Sequence, residues 1–213
     1  TFAQGVVLGN FITGFAVEHR AFEGSSWDWL RPFTLLVAGG LVFGYVLQGA
    51  TWLVMKLEGE LQEWARAMAR RALWGVLLFI VLMSVWTPLA EPRIAERWFS
   101  LPNLFWFAPV PVLTVALAVT LHRSLARGGE ILPFLCSIGL FFLTFTGLVI
   151  SLWPYIAPPS ITLWDAAVVP KAQGFLMLGT LFLLPVILLY VAWSYWVFRG
   201  KVTGAHSHGY HVM

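Results

Sequence analysis

The chain has 213 residues, of which 59% are hydrophobic, 16% aromatic and 11% charged, whereas soluble domains carry roughly 25% charged residues. That composition excludes an ordinary water-facing globular surface and requires apolar faces that meet lipid or other apolar protein. The formal net charge of +3 is carried by residues flanking the apolar runs and gives no reason to invoke nucleic acid.

A helix crossing the hydrocarbon core needs about 20 apolar residues. Taken in chain order, the first apolar run, Phe2–Val17, reaches the first residue with no cap, no Met and no leading charge. It lacks the basic start and small-residue cleavage site of a signal peptide, and it reads as a span cut short at its front. Complete spans are expected over Pro32–Leu57, Ala72–Ala90, Leu104–His122, Ile131–Trp153 and Ala172–Phe198. These runs are too long and continuous for barrel strands, which alternate over about ten residues, and helices are the other way to satisfy a backbone in lipid. The expected fold is therefore all-α: a polytopic transmembrane helical bundle of five complete spans plus one truncated first span. Residues 1–213 form a single membrane domain, the C-terminal part of a larger subunit, and 199–213 form a cytoplasmic tail.

Lys and Arg counts orient the bundle. One set of alternate connections holds Arg20, Arg31, Arg93, Arg97 and Lys171. The other holds Lys56, Arg66, Arg70, Arg71, Arg123, Arg127, Arg199 and Lys201. Five against eight places the second side, and with it the C-terminus, in the cytoplasm.

Between the first two complete spans lies the longest polar stretch, Glu58–Arg71. It reads as a short charged helix joining the spans, with Glu63 and Arg66 paired at i,i+3, the acids leading and the bases trailing. Its functional reading is a proton-accessible mouth or a docking face, with Glu58, Glu60 and Arg66 as candidates. Inside the spans, Asn10, Gln48, Ser84, Thr114, Thr120, Ser137, Thr144 and Thr146 can close hydrogen bonds between helices. Gly39, Gly40, Gly44 and Gly49, with the stretch "LGNFITGF", allow close backbone approach. Pro109, Pro111 and Pro185 are expected to kink their helices. Met55, Met68, Met83, Met177 and Met213 have no paired His at helical spacing, and packing is the expected role. His206, His208 and His211 cluster in the tail without the support that orients metal ligands. No His lies deep in a complete span, so the sequence offers no evident axial ligand for haem.

The stretch "SLWPYIAPPSITLWDAA", residues 151–167, separates the last two spans. Its prolines stop one helix, and Trp153, Tyr155 and Trp164 suit the membrane–water interface. Asp165 lies about one turn ahead of the final helix, where it can cap or complement that helix's start. The alternative is a partly desolvated carboxylate acting as a hydrogen-bond post for a partner or cofactor.

Taken together, "QGATWLVMKLEGELQEWARAMARRAL", "PPSITLWDAA" and "LFLLPVILLYVAWSYWVFRGKV" resemble subunit II of cytochrome bd-type quinol oxidases, including the cyanide-insensitive branch. The segments "LGNFITGF" and "SSWDWLRPFTLLVAGGLVFGYVLQGATWL" fit the same pattern. The family's subunit II begins with about three further spans, which are absent here.

The resemblance implies a complex that oxidises quinol and reduces dioxygen to water, set in a bacterial plasma (inner) membrane. This chain would be the non-haem subunit, itself without cofactor. Two b-type haems and haem d would sit in subunit I, the partner. Small accessory subunits and membrane lipid complete the implied surroundings. The subunit's implied role is support of the haem-bearing helices, with oxygen or proton access. Trp164–Asp165 matches the family's pattern without acquiring a catalytic role. Two rival readings are a membrane transporter subunit, which would need a polar midplane site or an inverted repeat, and a purely structural membrane subunit.

Overall fold

The computed structural model of the protein describes residues 1–14, 17–18, 21–22, 27, 29–198 and 200–201. The tail histidines His206, His208 and His211 lie outside the described residues. Eight helices occur among the described residues: α1 (Phe2–Thr13), α2 (Pro32–Lys56), α3 (Gly59–Ala90), α4 (Pro92–Phe99), α5 (Asn103–Phe107), α6 (Pro109–Ala126), α7 (Ile131–Leu152) and α8 (Pro170–Val197). Two short antiparallel hairpins join them. One pairs β1 (Val17–Glu18) with β2 (Ala21–Phe22), and the other pairs β3 (Tyr155–Ala157) with β4 (Ile161–Thr162).

Five segments are long and apolar enough to cross a membrane: α2, α3, α5 with α6, α7 and α8. They match the five expected spans to within a few residues at most boundaries, and three differences have clear causes. First, the charged stretch is not a separate linking helix. It is continuous with the following span, because no Gly or Pro interrupts Glu60–Trp74 and good helix formers fill it. At 1.5 Å per residue the 32 residues of α3 extend about 48 Å, longer than a ~30 Å core, so the charged first turns project beyond it. Second, the span expected over Leu104–His122 is broken at Ala108 into α5 and α6. Pro109 has no N–H to continue the α5 ladder, so it begins a helix instead of kinking one. Pro185 lies inside α8, which continues through it. Third, α4 was not anticipated. Its eight residues, PRIAERWF, place Ile94 and Trp98 on one side and charges on the other.

Two apolar clusters hold the bundle. The larger joins α2, α3, α6 and α7 through Leu47, Ala50, Ala72, Leu73, Leu121, Leu125 and Leu140. The second, nearer the β3–β4 hairpin, joins Ile12, Phe33, Val37 and Ile94, with Met83 and Trp98 packed against it. Met68 packs on the first cluster, so both of these methionines fill core gaps as expected.

Small residues set the helix distances. A Cβ on Gly5 would lie 2.4 Å from Ala38 Cα, and one on Gly9 would lie 2.7 Å from Thr34 Cα. These spacings seat α1 directly on the α2 backbone. Gly39 and Gly40 lie beneath Phe79 of α3, whereas Gly44 and Gly49 have nothing within 4 Å. No residue of α8 is buried.

Candidate functional site

The polar side chains gather at the two ends of the bundle. At one end the α2–α3, α6–α7 and post-α8 connections converge. Lys201 Nζ lies 2.8 Å from Glu130 Oε1 and 3.7 Å from Glu58 Oε1. Gln62 donates to Glu130 Oε1 at 3.0 Å and to the Val54 carbonyl at 2.9 Å. Lys56 donates to the Phe198 and Gly200 carbonyls and sits 5.0 Å from the centroid of the Trp52 ring. Trp52 in turn meets Tyr195 of α8 edge-on at 5.5 Å. These contacts tie down the end of α8, whose length is otherwise exposed. The Lys201 ammonium and the Gln62 amide hold the Glu130 carboxyl below its ordinary range, and the same ion pair raises Lys201.

Arg66 is the buried ion of this end, 5% exposed. Its Nη1 donates to the carbonyls of Gly129 at 3.0 Å and Leu125 at 3.4 Å, and its Nη2 to Gly128 at 3.4 Å. The guanidinium thus meets the negative end of α6 and the turn that leaves it. The expected Glu63–Arg66 pair forms, with Nε 3.4 Å from Glu63 Oε1. That contact is within ion-pair range but not aligned as a hydrogen bond, which leaves Nε without a hydrogen-bond acceptor. Glu63 is exposed, so the backbone carbonyls rather than the carboxylate define the Arg66 site. Glu58 sits exposed at the position preceding α3, and Glu60 is exposed in its first turn, where a negative charge complements the helix dipole.

Of the intramembrane polar residues, Ser137 bonds between helices. Its Oγ lies 3.0 Å from Thr51 Oγ1, linking α7 to α2 in a buried contact. Thr51 was not singled out in the sequence. Thr and Ser recur throughout these spans, and nothing local distinguishes the one that faces a partner. Asn10, Thr114, Thr120, Thr144 and Thr146 instead bond to carbonyls four residues earlier in their own helices. Gln48 is half-buried on α2, its carbonyl accepting from Thr51.

At the opposite end, Asp165 does not cap the final helix. α8 begins at Pro170 behind Val169, and Asp165 closes an earlier turn. Its Oδ2 accepts from Thr162 N at 3.1 Å and from Thr162 Oγ1, while Asp165 N donates to Thr162 Oγ1 at 3.3 Å. This reciprocal Thr-x-x-Asp arrangement is capping-box chemistry applied to a single turn, 162–166, closed by Ala166 N on the Thr162 carbonyl. The Thr162 hydroxyl, and then its N–H, hold the carboxyl below the usual aspartate range. Asp165 is solvent-exposed, so the surrounding aromatics do not desolvate it. Trp164 is exposed and meets Trp153 edge-on at 5.6 Å. The same end carries α4, anchored by a 2.9 Å bond from Trp98 Nε1 to Ser151 Oγ.

Among the described residues no three His, Cys, Asp or Glu side chains converge as metal ligands. His122 is exposed and stacks edge-on with exposed Trp74 at 5.8 Å. Within this chain His122 lies in no pocket of the kind that fixes an axial haem ligand.

Comparison with known proteins gives a consistent result. The family model described as "Cytochrome bd terminal oxidase subunit II" matches residues 1–198. The chain is similar to "Cytochrome bd-I ubiquinol oxidase subunit 2" of Escherichia coli (strain K12), at 28% identity over 93% of this chain and 62% of the relative. It is also similar to "Probable cytochrome oxidase subunit 2" of Haemophilus influenzae, at 23% identity over 93% of this chain and 61% of the relative. The chain thus spans about three fifths of the length of these curated relatives. Among solved structures, the bd oxidase from Geobacillus thermodenitrificans shares the fold, with a TM-score of 0.72 at 20% identity over 94% of this chain and 61% of that one.

Proposed function

The chain belongs to the cytochrome bd terminal oxidase subunit II family, and from that premise we propose that it serves in the non-haem subunit of a membrane quinol:dioxygen oxidoreductase. The observation that carries this reading is the family match over residues 1–198 on a helical bundle of the bd oxidase fold. The related Escherichia coli protein is by its name a ubiquinol oxidase subunit, and the proposed reaction follows that chemistry: quinol is oxidised and dioxygen is reduced to water. The redox groups, two b-type haems and haem d, are assigned to a haem-bearing subunit I. The surface position of His122 supports assigning them to the partner rather than to this chain.

The role assigned to this chain is support of the partner's helices. Glu58, Glu60 and Glu130 give one end carboxylates that can exchange protons with water, which makes it the natural entry for a proton route. Two buried intramembrane hydroxyls, Thr51 and Ser137, bond to each other and to carbonyls of their own helices, which favours support over conduction. The Lys/Arg bias supports a cytoplasmic side of a bacterial plasma membrane for this end and the C-terminus.

Optical spectroscopy of the purified complex tests the assignment. Haem d bands are expected only when the large partner co-purifies, and isolated subunit II carrying haem absorption would overturn it. Cysteine labelling tests the orientation. Ser207→Cys should be shielded from an impermeant reagent in intact cells, and ready labelling would reverse the topology.

A further inference from the structure

Arg93 and Arg97 lie four residues apart on α4, on one face of the helix. Both line a cavity of about 30 Å³ together with Ile12, Ser151, Trp153 and Tyr155. Arg93 is accounted for: its Nη2 lies 2.8 Å from Glu91 Oε2, and its guanidinium carbon lies 5.7 Å from the centroid of the Tyr155 ring. Arg97 is half-buried and, among the described residues, makes no ion pair or side-chain hydrogen bond. Glu96 is exposed and adjacent in sequence, and residues one apart do not share a helix face. A guanidinium withdrawn partly from water without an anion is costly, so among the described residues the cavity is short of one negative charge.

A second feature lies just before it along the chain. The last turns of α3 present an open apolar trough of about 350 Å³ lined by Leu82, Val85, Trp86, Leu89 and Ala90. Arg93 follows Ala90 by three positions, which keeps their Cα atoms within about 11 Å. Trp98, Trp153 and Tyr155 mark this level as the headgroup region of the bilayer.

We propose that Arg97, assisted by Arg93, binds the phosphate of an anionic phospholipid whose acyl chain lies in the Leu82–Ala90 trough. The charge deficit selects an anionic ligand, and the trough selects a lipid over a free anion. The inference needs only that the chain spans a membrane, and it does not depend on the oxidase reading.

The test uses the full complex, purified in detergent and delipidated, with its thermal midpoint followed during titration. Phosphatidylglycerol should raise the midpoint, whereas phosphatidylcholine and inorganic phosphate should not. Arg97→Gln should weaken the apparent phosphatidylglycerol affinity about fivefold, the contribution expected of one interfacial cation, and Arg97→Lys should retain most of it. Val85→Trp, at an exposed position on this chain, should block the trough and abolish the response with both arginines intact, and it serves should Arg97→Gln fail to assemble. An unchanged response in either variant overturns the site. An equal rise with inorganic phosphate overturns the lipid assignment.

Discussion

Replacing Arg66 by Ala removes three donated hydrogen bonds at once. The 3.0 Å bond to Gly129 O is the strong one, and a charged hydrogen bond of that kind contributes about 1.5–3 kcal/mol. The two at 3.4 Å together add less. They overlap with the favourable placement of a cation at a helix C-terminus, which contributes up to about 2 kcal/mol in partly buried geometry. Removing the charge also removes its own desolvation cost. The net loss is therefore about 3 kcal/mol, or a fall of about 6–12 °C in thermal midpoint at 2–4 °C per kcal/mol. Arg66→Lys should lose roughly half as much, because one ammonium cannot span three carbonyls as the planar fork does. Arg70, one turn later, is exposed, and Arg70→Ala should stay within about 0.5 kcal/mol of wild type. The assay is differential scanning of the detergent-purified complex at one fixed scan rate, so that irreversible unfolding affects all variants alike. If Arg66→Ala and Arg70→Ala melt together, the carbonyl cluster is not what holds the α6–α7 turn.

Asp165→Asn keeps an acceptor for Thr162 N, so assembly and oxidase turnover should both survive; a large rate loss in a fully assembled complex would show that the charge itself is used. Because the Asp165 carboxyl is lowered in the folded state, its stabilisation of the turn is present above the ordinary aspartate pKa and is lost as pH falls through the lowered value. Trp164 fluorescence should report that acid transition in the wild type and not in the Asn variant. Glu130 is likewise lowered, and Lys201 is raised. Their tether on α8 should hold between the two ranges and weaken at either extreme, with Glu130→Gln speeding hydrogen exchange around residues 198–201. Gly5→Val should force α1 from α2 at a cost of about 1–3 kcal/mol, read as loss of exchange protection across α1. Gly44→Ala, with nothing within 4 Å, should instead be neutral or gain up to about 1 kcal/mol of helix propensity.

Composition and run length alone determined that the chain is a helical membrane bundle with five complete spans, because lipid forbids unpaired backbone and helices solve that locally. The two-sided sorting of charged loops was also legible. Lys56, Glu58, Glu130 and Lys201 do meet at one end, as alternate connections require. The Glu63–Arg66 pair was readable because i,i+3 neighbours follow from helix geometry without any tertiary information.

What stayed hidden depended on residues far apart in the chain. Arg66 and Arg70 look alike in sequence, yet only Arg66 faces carbonyls 59 to 63 residues away. Thr51 resembles every other intramembrane threonine until α7 brings Ser137 to it. Asp165 was expected to serve the next helix because acids near helix starts commonly do. Thr162 bonds its Oδ2 instead, and Pro170 sets where α8 begins. The apolar surface of α8 carries no mark of which face meets a neighbour, since every face is equally compatible with lipid. Burial among spans is decided by shape and small residues, and hydrophobicity, uniform around such a helix, cannot report it.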